Sequence, residues 1–308
     1  MKGRPKRQAS FRKSERVSDT ARIQVTLTPA ESKRLIAKAV KKTPIIQRAL
    51  REGTIIVDKS TTDAYILDEL IEEKVDVSRY VSGIVTMEGT CLTNRREALK
   101  TRILVKGKPK EIVQPAGKRT STVFKELLED MGEKDVFIKS ANALDPEWHA
   151  GILAGASGCG IIGRVLPTIR RRKVNLLIPV GLEKLIPTSI FEASKEAGIF
   201  KMDSSMGMPC NLVPVEGTVI TEMEAIDILT GAVAIPIAAG GVSGAEGAVT
   251  LVIRGAGDQV QAAKEVLLDV KGEQRIDVPR MECGDCPRHY THYTKAPTIP
   301  KPCPGFWK

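Results

Sequence analysis

The sequence predicts an α/β protein with a mostly parallel sheet, helices on both faces of that sheet, and a small ferredoxin-like α+β domain. Apolar runs at 53–57, 135–138 and 174–178 have the length and the β-branched content of buried strands. Segments with helical periodicity lie between these runs, separated from them by polar or glycine-rich turns. Strands that alternate with helices in this way are typical of a parallel sheet that is covered on both sides.

The first predicted helix has a clear start signal. Thr28 is a good N-cap, Pro29 suits the first helical position, and Glu31 completes a capping box. The buried run at 53–57 then leads through a polar turn into a helix at 64–70. This order predicts a strand, a short loop and a helix whose first amides face the loop.

Ligands of such sheets bind beyond the carboxyl ends of the strands. We therefore expect the loops after Val57, Ile138 and Gly155 to meet at one end of the sheet.

After residue 210 the order of predicted elements becomes βαββαβ, with the first strand at 212–215 and the last at 275–278. This is the order of the split ferredoxin-like unit. The sequence thus predicts four parts. They are a disordered basic arm at 1–22, an α/β ligand-binding core at 23–210, a ferredoxin-like domain at 211–278, and a tail containing Cys and His at 279–308.

The charge of the 308-residue chain is concentrated near its start. The formal net charge is +10, and residues 1–22 contribute +6 of it, with eight Lys or Arg against two acidic residues. This pattern fits a nucleic-acid contact through residues 2–22 and a solvated tail equally well. No apolar run reaches the roughly 18–20 residues of a membrane span. The six cysteines do not form a secreted disulfide framework, so we expect a cytoplasmic protein without a membrane contact.

Two loops have residues suited to a small anion. Ser60, Thr61 and Thr62 offer hydroxyls and successive backbone amides at a helix start, in a turn expected at the surface. The alternative interpretation of this turn is a plain helix cap. Ser157, Gly158 and Gly160 precede a second helix, where glycine permits close approach of the backbone to a ligand or simply makes a tight turn.

The candidate reactive groups lie at predicted strand ends. Asn142 and Asp145 share one loop, in which Asn142 would bind substrate and Asp145 would act as acid or base, with a solvated turn as the alternative. Cys159 is a candidate nucleophile or a small buried hydrophobe. Lys139 and Lys184 flank strand ends and could pair with an anionic substrate or with solvent.

The tail contains the metal-binding candidates. Cys283 and Cys286 form a Cys-x-x-Cys pair, and His289 with Cys303 would complete four ligands for zinc. The alternatives are a flexible tail and a redox-active dithiol.

Two stretches resemble the superfamily of ribose-5-phosphate isomerase, glucosamine-6-phosphate deaminase and the CoA transferases. The first is 60–70, with Ser60 to Thr62, Ala64-Tyr65 and Glu69-Leu70; the second is 136–151 and continues to Ile162-Gly163. The resemblance implies an α/β fold and a sugar-phosphate or CoA-ester ligand. The acidic residue of the family's second signature falls on Asn142 here, an amide that can hydrogen-bond a substrate hydroxyl.

Two functional hypotheses follow. The first is an enzyme that binds a small phosphorylated or carboxylated metabolite and acts as an isomerase, a deaminase or an acyl transferase, with the smaller domain as a lid or as the surface of a homo-oligomer. The second is a non-catalytic ligand-sensing or RNA-associated protein that uses the basic arm and the Cys/His tail.

Overall fold

The structure is a computed structural model and describes residues 20–71, 75–93, 101–110, 126–156, 158–205, 207–282 and 286. The helices are α1 Pro29–Lys42, α2 Pro44–Glu52, α3 Thr61–Leu70, α4 Gly160–Arg172, α5 Ile190–Glu196, α6 Glu222–Thr230 and α7 Gly257–Val270, with a 3₁₀ turn at Leu182–Lys184. Within these ranges no helix is long and apolar enough to cross a membrane.

The strands form four sheets. In chain order they are β1 Ala21–Leu27, β2 Thr54–Val57, β3 Gly83–Thr86, β4 Gly89–Leu92, β5 Arg102–Val105, β6 Lys108–Lys110, β7 Val136–Ile138, β8 Ala143–Leu144, β9 Ala150–Ala154, β10 Asn175–Pro179, β11 Asn211–Val215, β12 Thr218–Ile220, β13 Val233–Ala239 and β14 Val249–Gly255.

The largest sheet has six strands in the order β12-β10-β7-β2-β5-β6. Its first four strands run parallel, and β5 and β6 continue it as antiparallel strands. The predicted α/β class with a mostly parallel sheet is confirmed at this level. The apolar runs explain the arrangement, because every residue of β7 is fully buried, as are Ile55, Ile56 and Val57 of β2.

The pairing register aligns the carboxyl ends of β2, β7 and β10 with one another. Val57 pairs with Ile138, and Ile138 pairs with Leu177. The next amides continue the ladder, since Asp58 donates to the Ile138 carbonyl at 3.1 Å and Lys139 donates to that of Leu177 at 3.0 Å. The side chains that follow β2 and β7 therefore leave the sheet next to each other.

The predicted start of α1 is confirmed. Glu31 accepts the Thr28 amide at 2.9 Å, and the Thr28 hydroxyl accepts the Glu31 amide at 3.4 Å. Helix α1 packs against both α3 and α6. The large core cluster includes residues from these helices and from the six-stranded sheet.

The ferredoxin-like unit differs from its prediction. Helices α6 and α7 and strands β13 and β14 are present, but the third strand of their sheet is β1, in the order β1-β14-β13. The run at 212–215 lies in β11, which pairs with β9, and 275–278 form no strand. Strands β1 and β14 pair without interruption over seven residue pairs. The alternating apolar residues of 21–27 therefore form the third strand of this sheet, where a strand from residues 211–278 was expected. The split unit as predicted is not confirmed.

The structure also differs from the predicted bounds of the basic arm and of the parallel sheet. Ala21 and Arg22, the last two residues of the predicted arm, belong to β1 and pair with Gly255 and Arg254. Strand β9 lies outside the parallel sheet and pairs antiparallel with β8 and β11. Residues 1–19 are outside the described part of the chain.

Candidate functional site

A buried ion pair lies at the carboxyl edge of the six-stranded sheet. Asp58 follows β2, Lys139 follows β7, and the aligned register places Lys139 Nζ 2.8 Å from Asp58 Oδ2. The Asp58 side chain is 4% exposed and that of Lys139 is 14% exposed. Two adjacent parallel strands thus end in opposite charges that are largely removed from water.

Asp63 lies beside this pair and is fully buried. It occupies the first turn of α3, and its two carboxylate oxygens accept the Ser140 amide at 3.2 and 3.3 Å. Burial raises the pKa of Asp63, the ammonium of Lys139 lowers it and the negative charge of Asp58 raises it, with a net pKa of about 6. A carboxyl group in this environment can hold or release a proton near neutral pH.

A short chain of hydroxyls connects Asp63 with the surface. Ser140 Oγ lies 3.3 Å from Asp63 Oδ2 and 2.5 Å from Ser60 Oγ. Ser60 is the N-cap of α3, where its Oγ accepts the Asp63 amide at 2.9 Å, and it is only partly buried. Since hydroxyl hydrogens rotate freely, a proton can move along these three side chains.

Three buried side-chain oxygens have no hydrogen-bond partner among the described residues. They are Asp58 Oδ1, Thr62 Oγ1 and Glu222 Oε1. Leaving a buried polar group unsatisfied costs about 1–3 kcal/mol. A ligand that donates a hydrogen bond to Asp58 Oδ1 could remove this cost there.

A second lysine lies on the turn after β10, and a second buried carboxylate, at the start of α6, is hydrogen-bonded to that turn. Glu222, fully buried at the start of α6, accepts the Leu182 amide at 2.9 Å, and burial raises its pKa. Lys184 donates to the Ala141 carbonyl at 3.1 Å, and burial lowers its pKa. Ala141 directly follows Ser140, so this lysine reaches the loop that contains the hydroxyl chain.

The first turn of α3 adds backbone donors. The amides of Thr61 and Thr62 stand at positions whose N–H groups have no acceptor inside the helix. The positive end of the helix dipole lies at the same place and favours an anion. The carboxyl edge therefore has cations and amides suited to an anion, together with carboxyls suited to proton transfer.

The structure brings together part of the predicted site. Ser60 and the start of α3 lie in the cluster, but Thr62 was expected in a surface turn and is fully buried instead. It is buried because the second residue of α3 faces the core, as do the four residues from Asp63 to Ile66. Substitutions of Thr62 are therefore poor probes of ligand binding.

Asn142 is hydrogen-bonded to β9. Its backbone N–H donates to the Gly151 carbonyl at 2.8 Å, and its side-chain Oδ1 accepts the backbone N–H of Leu153 at 3.0 Å. Both contacts join the loop after β7 to β9. The substrate-binding role of Asn142 stays a prediction.

The glycine loop packs against β11 and α4. Asn211 Nδ2 donates to the carbonyls of Ala154 and Ala156 at 3.4 and 3.3 Å, so the loop adjoins β11. A Cβ on Gly163 would lie 2.4 Å from the Gly158 carbonyl oxygen, so the loop folds tightly onto α4. The expected meeting of this loop with the loops after Val57 and Ile138 stays a prediction.

Cys159 and Gly160 lead the glycine loop into α4. Cys159 is the N-cap of α4 with a left-handed φ of 53°, and its side chain makes no cap bond. Gly160 also has a positive φ, of 64°. Ser157 lies outside the described residues.

Asp145 organises its own loop. Its oxygens accept the amides of Glu147, His149 and Ile190 at 3.0, 2.9 and 3.0 Å, and its Oδ2 lies 3.1 Å from His149 Nδ1. These hydrogen bonds and the His149 charge hold its pKa below the ordinary value, although burial opposes them. A carboxylate stabilised in this way is a weak base. Asp145 is also 1% exposed, so the alternative of a solvated turn does not describe it, and its acid–base role stays a prediction.

The zinc prediction falls mostly outside the described part of the chain. Cys283, His289 and Cys303 are not described, while Cys286 is partly buried and free. The described residues contain no group of three or more His, Cys, Asp or Glu side chains arranged to hold a metal.

A concave surface of about 350 Å³ lies at the opposite, amino edge of the sheet. It is lined by residues that include Gly53, Lys106, Lys134 and Asp135. Asp135 is already used there, since its Oδ1 accepts the Thr54 amide at 2.6 Å. We place the candidate site at the carboxyl edge, because the buried titratable groups and unsatisfied oxygens lie there.

Sequence reasoning missed the roles of Asp58, Asp63 and Glu222. One signal was available for the first: Asp58 and Lys139 each follow a buried run directly, and strands of adjacent parallel units end side by side. Burial of Asp63 and Glu222 leaves no such mark, because an acidic residue in a first helical turn is ordinary on any exposed helix.

Comparison with known proteins gives no match of this chain to a family model, to a curated protein or to a solved structure. The resemblance to the isomerase and CoA-transferase superfamily therefore stays a prediction.

Proposed function

We propose that the protein is an enzyme that binds a small phosphorylated or carboxylated metabolite at the carboxyl edge of the six-stranded sheet and moves a proton on it. The observation that supports this most directly is the chain of hydroxyls from Ser60 through Ser140 to Asp63. The pKa of the Asp63 carboxyl is raised to about 6. A base with a pKa near the working pH is the most effective proton carrier.

The anionic part of the ligand is inferred from the donors around this chain. The ammonium group of Lys139, the amino group of Lys184 and the first amides of α3 lie at the same edge. A helix start favours an anion by about 0.3–1 kcal/mol. Each hydrogen bond to a charged group contributes roughly 1.5–3 kcal/mol. Sugar phosphates and CoA esters are the classes that we expect.

A purely structural role explains the cluster less well. A buried ion pair is weak evidence for stability, because desolvation offsets the attraction of its charges. The pair of Lys139 and Asp58 also leaves Asp58 Oδ1 without a hydrogen-bond partner among the described residues. A ligand that supplies a donor would account for this oxygen.

The proton path follows from the distances. A proton taken from the bound ligand passes to Ser60 Oγ, while the protons of Ser60 and Ser140 each move one step toward Asp63. The ammonium of Lys139 stabilises negative charge that develops on the ligand. Proton transfer of this kind is a step of isomerisation reactions. In this proposal Asp63 is the acid–base group, whereas the family's acidic residue falls on Asn142, an amide.

Anion binding is tested by a melting screen against sugar phosphates, CoA esters and nucleotides. Thr61→Asp places a negative charge at the partly exposed first position of α3. Ser189→Asp is the matched control, because it places the same charge at the exposed start of α5. We expect ligands that stabilise the wild type and the control to lose their effect on Thr61→Asp. Equal stabilisation of both variants would put the anion site elsewhere.

Proton transfer is tested by exchange of carbon-bound hydrogens of the stabilising ligand with solvent deuterium, followed by NMR. Removal of a general acid–base group lowers rates by about 10²–10⁴-fold. We expect a loss of that order in Asp63→Asn and Ser60→Ala, with binding retained. Ser189→Ala removes an equivalent N-cap serine and should exchange at the wild-type rate. Wild-type exchange in Asp63→Asn would refute the proton path.

A second function is favoured by the charge near the start of the chain. Eight Lys or Arg within residues 1–22 are suited to phosphates of a nucleic acid. Binding of RNA through them would weaken steeply with salt, whereas binding of a metabolite at the enclosed edge would change little. Titrations of both ligand types at two salt concentrations separate this sensing or RNA-associated role from the enzyme.

A further inference from the structure

Lys184 lies at the carboxyl edge and forms no ion pair with a carboxylate among the described residues. Lys139 pairs with Asp58 at 2.8 Å, and Lys33 pairs with Glu183 at 3.4 Å. Lys184 forms no ion pair within the described part of the chain, and its Nζ donates to the Ala141 carbonyl at 3.1 Å. An amine that is held by a carbonyl oxygen keeps this contact after losing a proton, and its lone pair is then free for chemistry.

The groups that face Lys184 come from four elements. Lys33 of α1 repels its positive charge, while Glu183 of the same turn, Asp63 of α3 and Glu222 of α6 attract it. Burial outweighs these attractions and lowers the pKa of Lys184. Glu183 is already paired with Lys33, and burial raises the pKa values of Asp63 and Glu222.

We propose that Lys184 is a nucleophile that forms an imine with a carbonyl group of the anionic ligand. The proposal rests on the proposed function because it uses the same site, and it narrows the ligand to an aldehyde or ketone that carries a phosphate or a carboxylate. Neutral lysines in desolvated surroundings are suited to this chemistry.

The step balances without an oxidant or a reductant. The Lys184 nitrogen attacks the carbonyl carbon, the electron pair of the C=O bond moves to oxygen, and a proton passes from nitrogen to oxygen to give a carbinolamine. The Asp63 carboxyl then supplies a proton through Ser140 and Ser60, the hydroxyl leaves as water, and the nitrogen lone pair forms the C=N bond. The products are a protonated imine, water and the Asp63 carboxylate.

The test uses the full chain and limiting glyoxylate, a small carboxylated aldehyde, with cyanoborohydride to reduce any imine. Peptide mass spectrometry then gives the labelling rate at each lysine, and formaldehyde serves as the uncharged comparison. Lys195, exposed on α5 and paired with Glu192, is the internal reference. A lower pKa raises the neutral fraction of a lysine at neutral pH, so we expect labelling at Lys184 to be faster than at Lys195.

Lys184→Arg removes the amine, so the label at position 184 should disappear while labelling of Lys195 stays at the wild-type rate. Lys195→Arg should leave labelling of Lys184 unchanged. The imine proposal is overturned if Lys184 reacts with both aldehydes no faster than Lys195, or if Lys139 takes the label. Fast labelling of Lys184 that shows no preference for glyoxylate would keep the nucleophile but remove the anion site of the proposed function.

Discussion

Replacing Lys139 with methionine tests whether the edge cluster is a strained charged site. The variant leaves Asp58 and Asp63, both buried, without the ammonium that attracts them. Breaking a buried ion pair by removal of one partner costs about 3–5 kcal/mol, because the remaining charge is left unpaired. We expect Lys139→Met to lower the free energy of unfolding at pH 7 by this amount.

The second half of the prediction concerns the double variant. Asp58→Asn with Lys139→Met removes both charges, and replacing a whole buried pair is often neutral or stabilising. The double variant should therefore be more stable than Lys139→Met alone. Loss of Lys139 also raises the pKa of Asp63 further, since the ammonium lowers it in the wild type. Lowering the pH should thus reduce the defect of Lys139→Met by protonating Asp63.

Urea unfolding followed by circular dichroism gives the comparison. Lys134→Met is the matched control, because Lys134 pairs with Glu52 at 3.5 Å and both side chains are at least half exposed. Exposed pairs contribute about 0–1 kcal/mol. Equal small losses in Lys139→Met and Lys134→Met, or a double variant that is less stable than Lys139→Met, would refute the argument.

Three further outcomes are expected. The folded pKa of Asp63, about 6, lies above its ordinary value of 3.8, so the wild type should gain stability relative to Asp63→Asn as the pH falls from 6 to 4 in urea titrations, by up to about 1.4 kcal/mol per pH unit. Asp145→Ala should lose roughly 3 kcal/mol in the same assay, since three backbone amides lose their acceptor. Gly217→Ala should lower the melting temperature, because its Cβ would lie 2.3 Å from the Leu176 carbonyl oxygen, whereas Gly257→Ala meets nothing within 4 Å and should not lower it.

The central strands could be predicted because burial on both faces leaves a continuous apolar run. The runs at 53–57, 135–138 and 174–178 correspond to β2, β7 and β10. Local hydrogen bonding made the start of α1 equally clear, since the capping box of Thr28 and Glu31 uses only residues three apart.

Strand pairing could not be predicted in the same way. The apolar segment of β9 reads like those of β2 and β7, yet its partners β8 and β11 make it antiparallel. Likewise, β1 completes the sheet of β13 and β14 from more than two hundred residues away in the sequence. Such pairings depend on contacts between distant segments, which periodicity within one segment does not encode.

The site was predictable in its donors but not in its carboxyls. Ser60, Lys139 and Lys184 were indicated because they stand where predicted strands end or helices begin. The roles of Asp63 and Glu222 depend on complete burial, which raises the pKa of each and comes from packing of α3 and α6.

Under the proposed function, anion binding and proton transfer are coupled at this edge by charge. A phosphate or carboxylate held by Lys139 and the start of α3 would add negative charge near Asp63 and offset the ammonium that lowers its pKa. Like charge disfavours the ionised form of a carboxyl, so a bound anion would make Asp63 a stronger base. The proposed base would therefore be stronger with substrate bound than in the empty site. A sensor that only holds a ligand has no use for this dependence, so a measured rise in the pKa of Asp63 on anion binding would favour the enzyme over the sensing role.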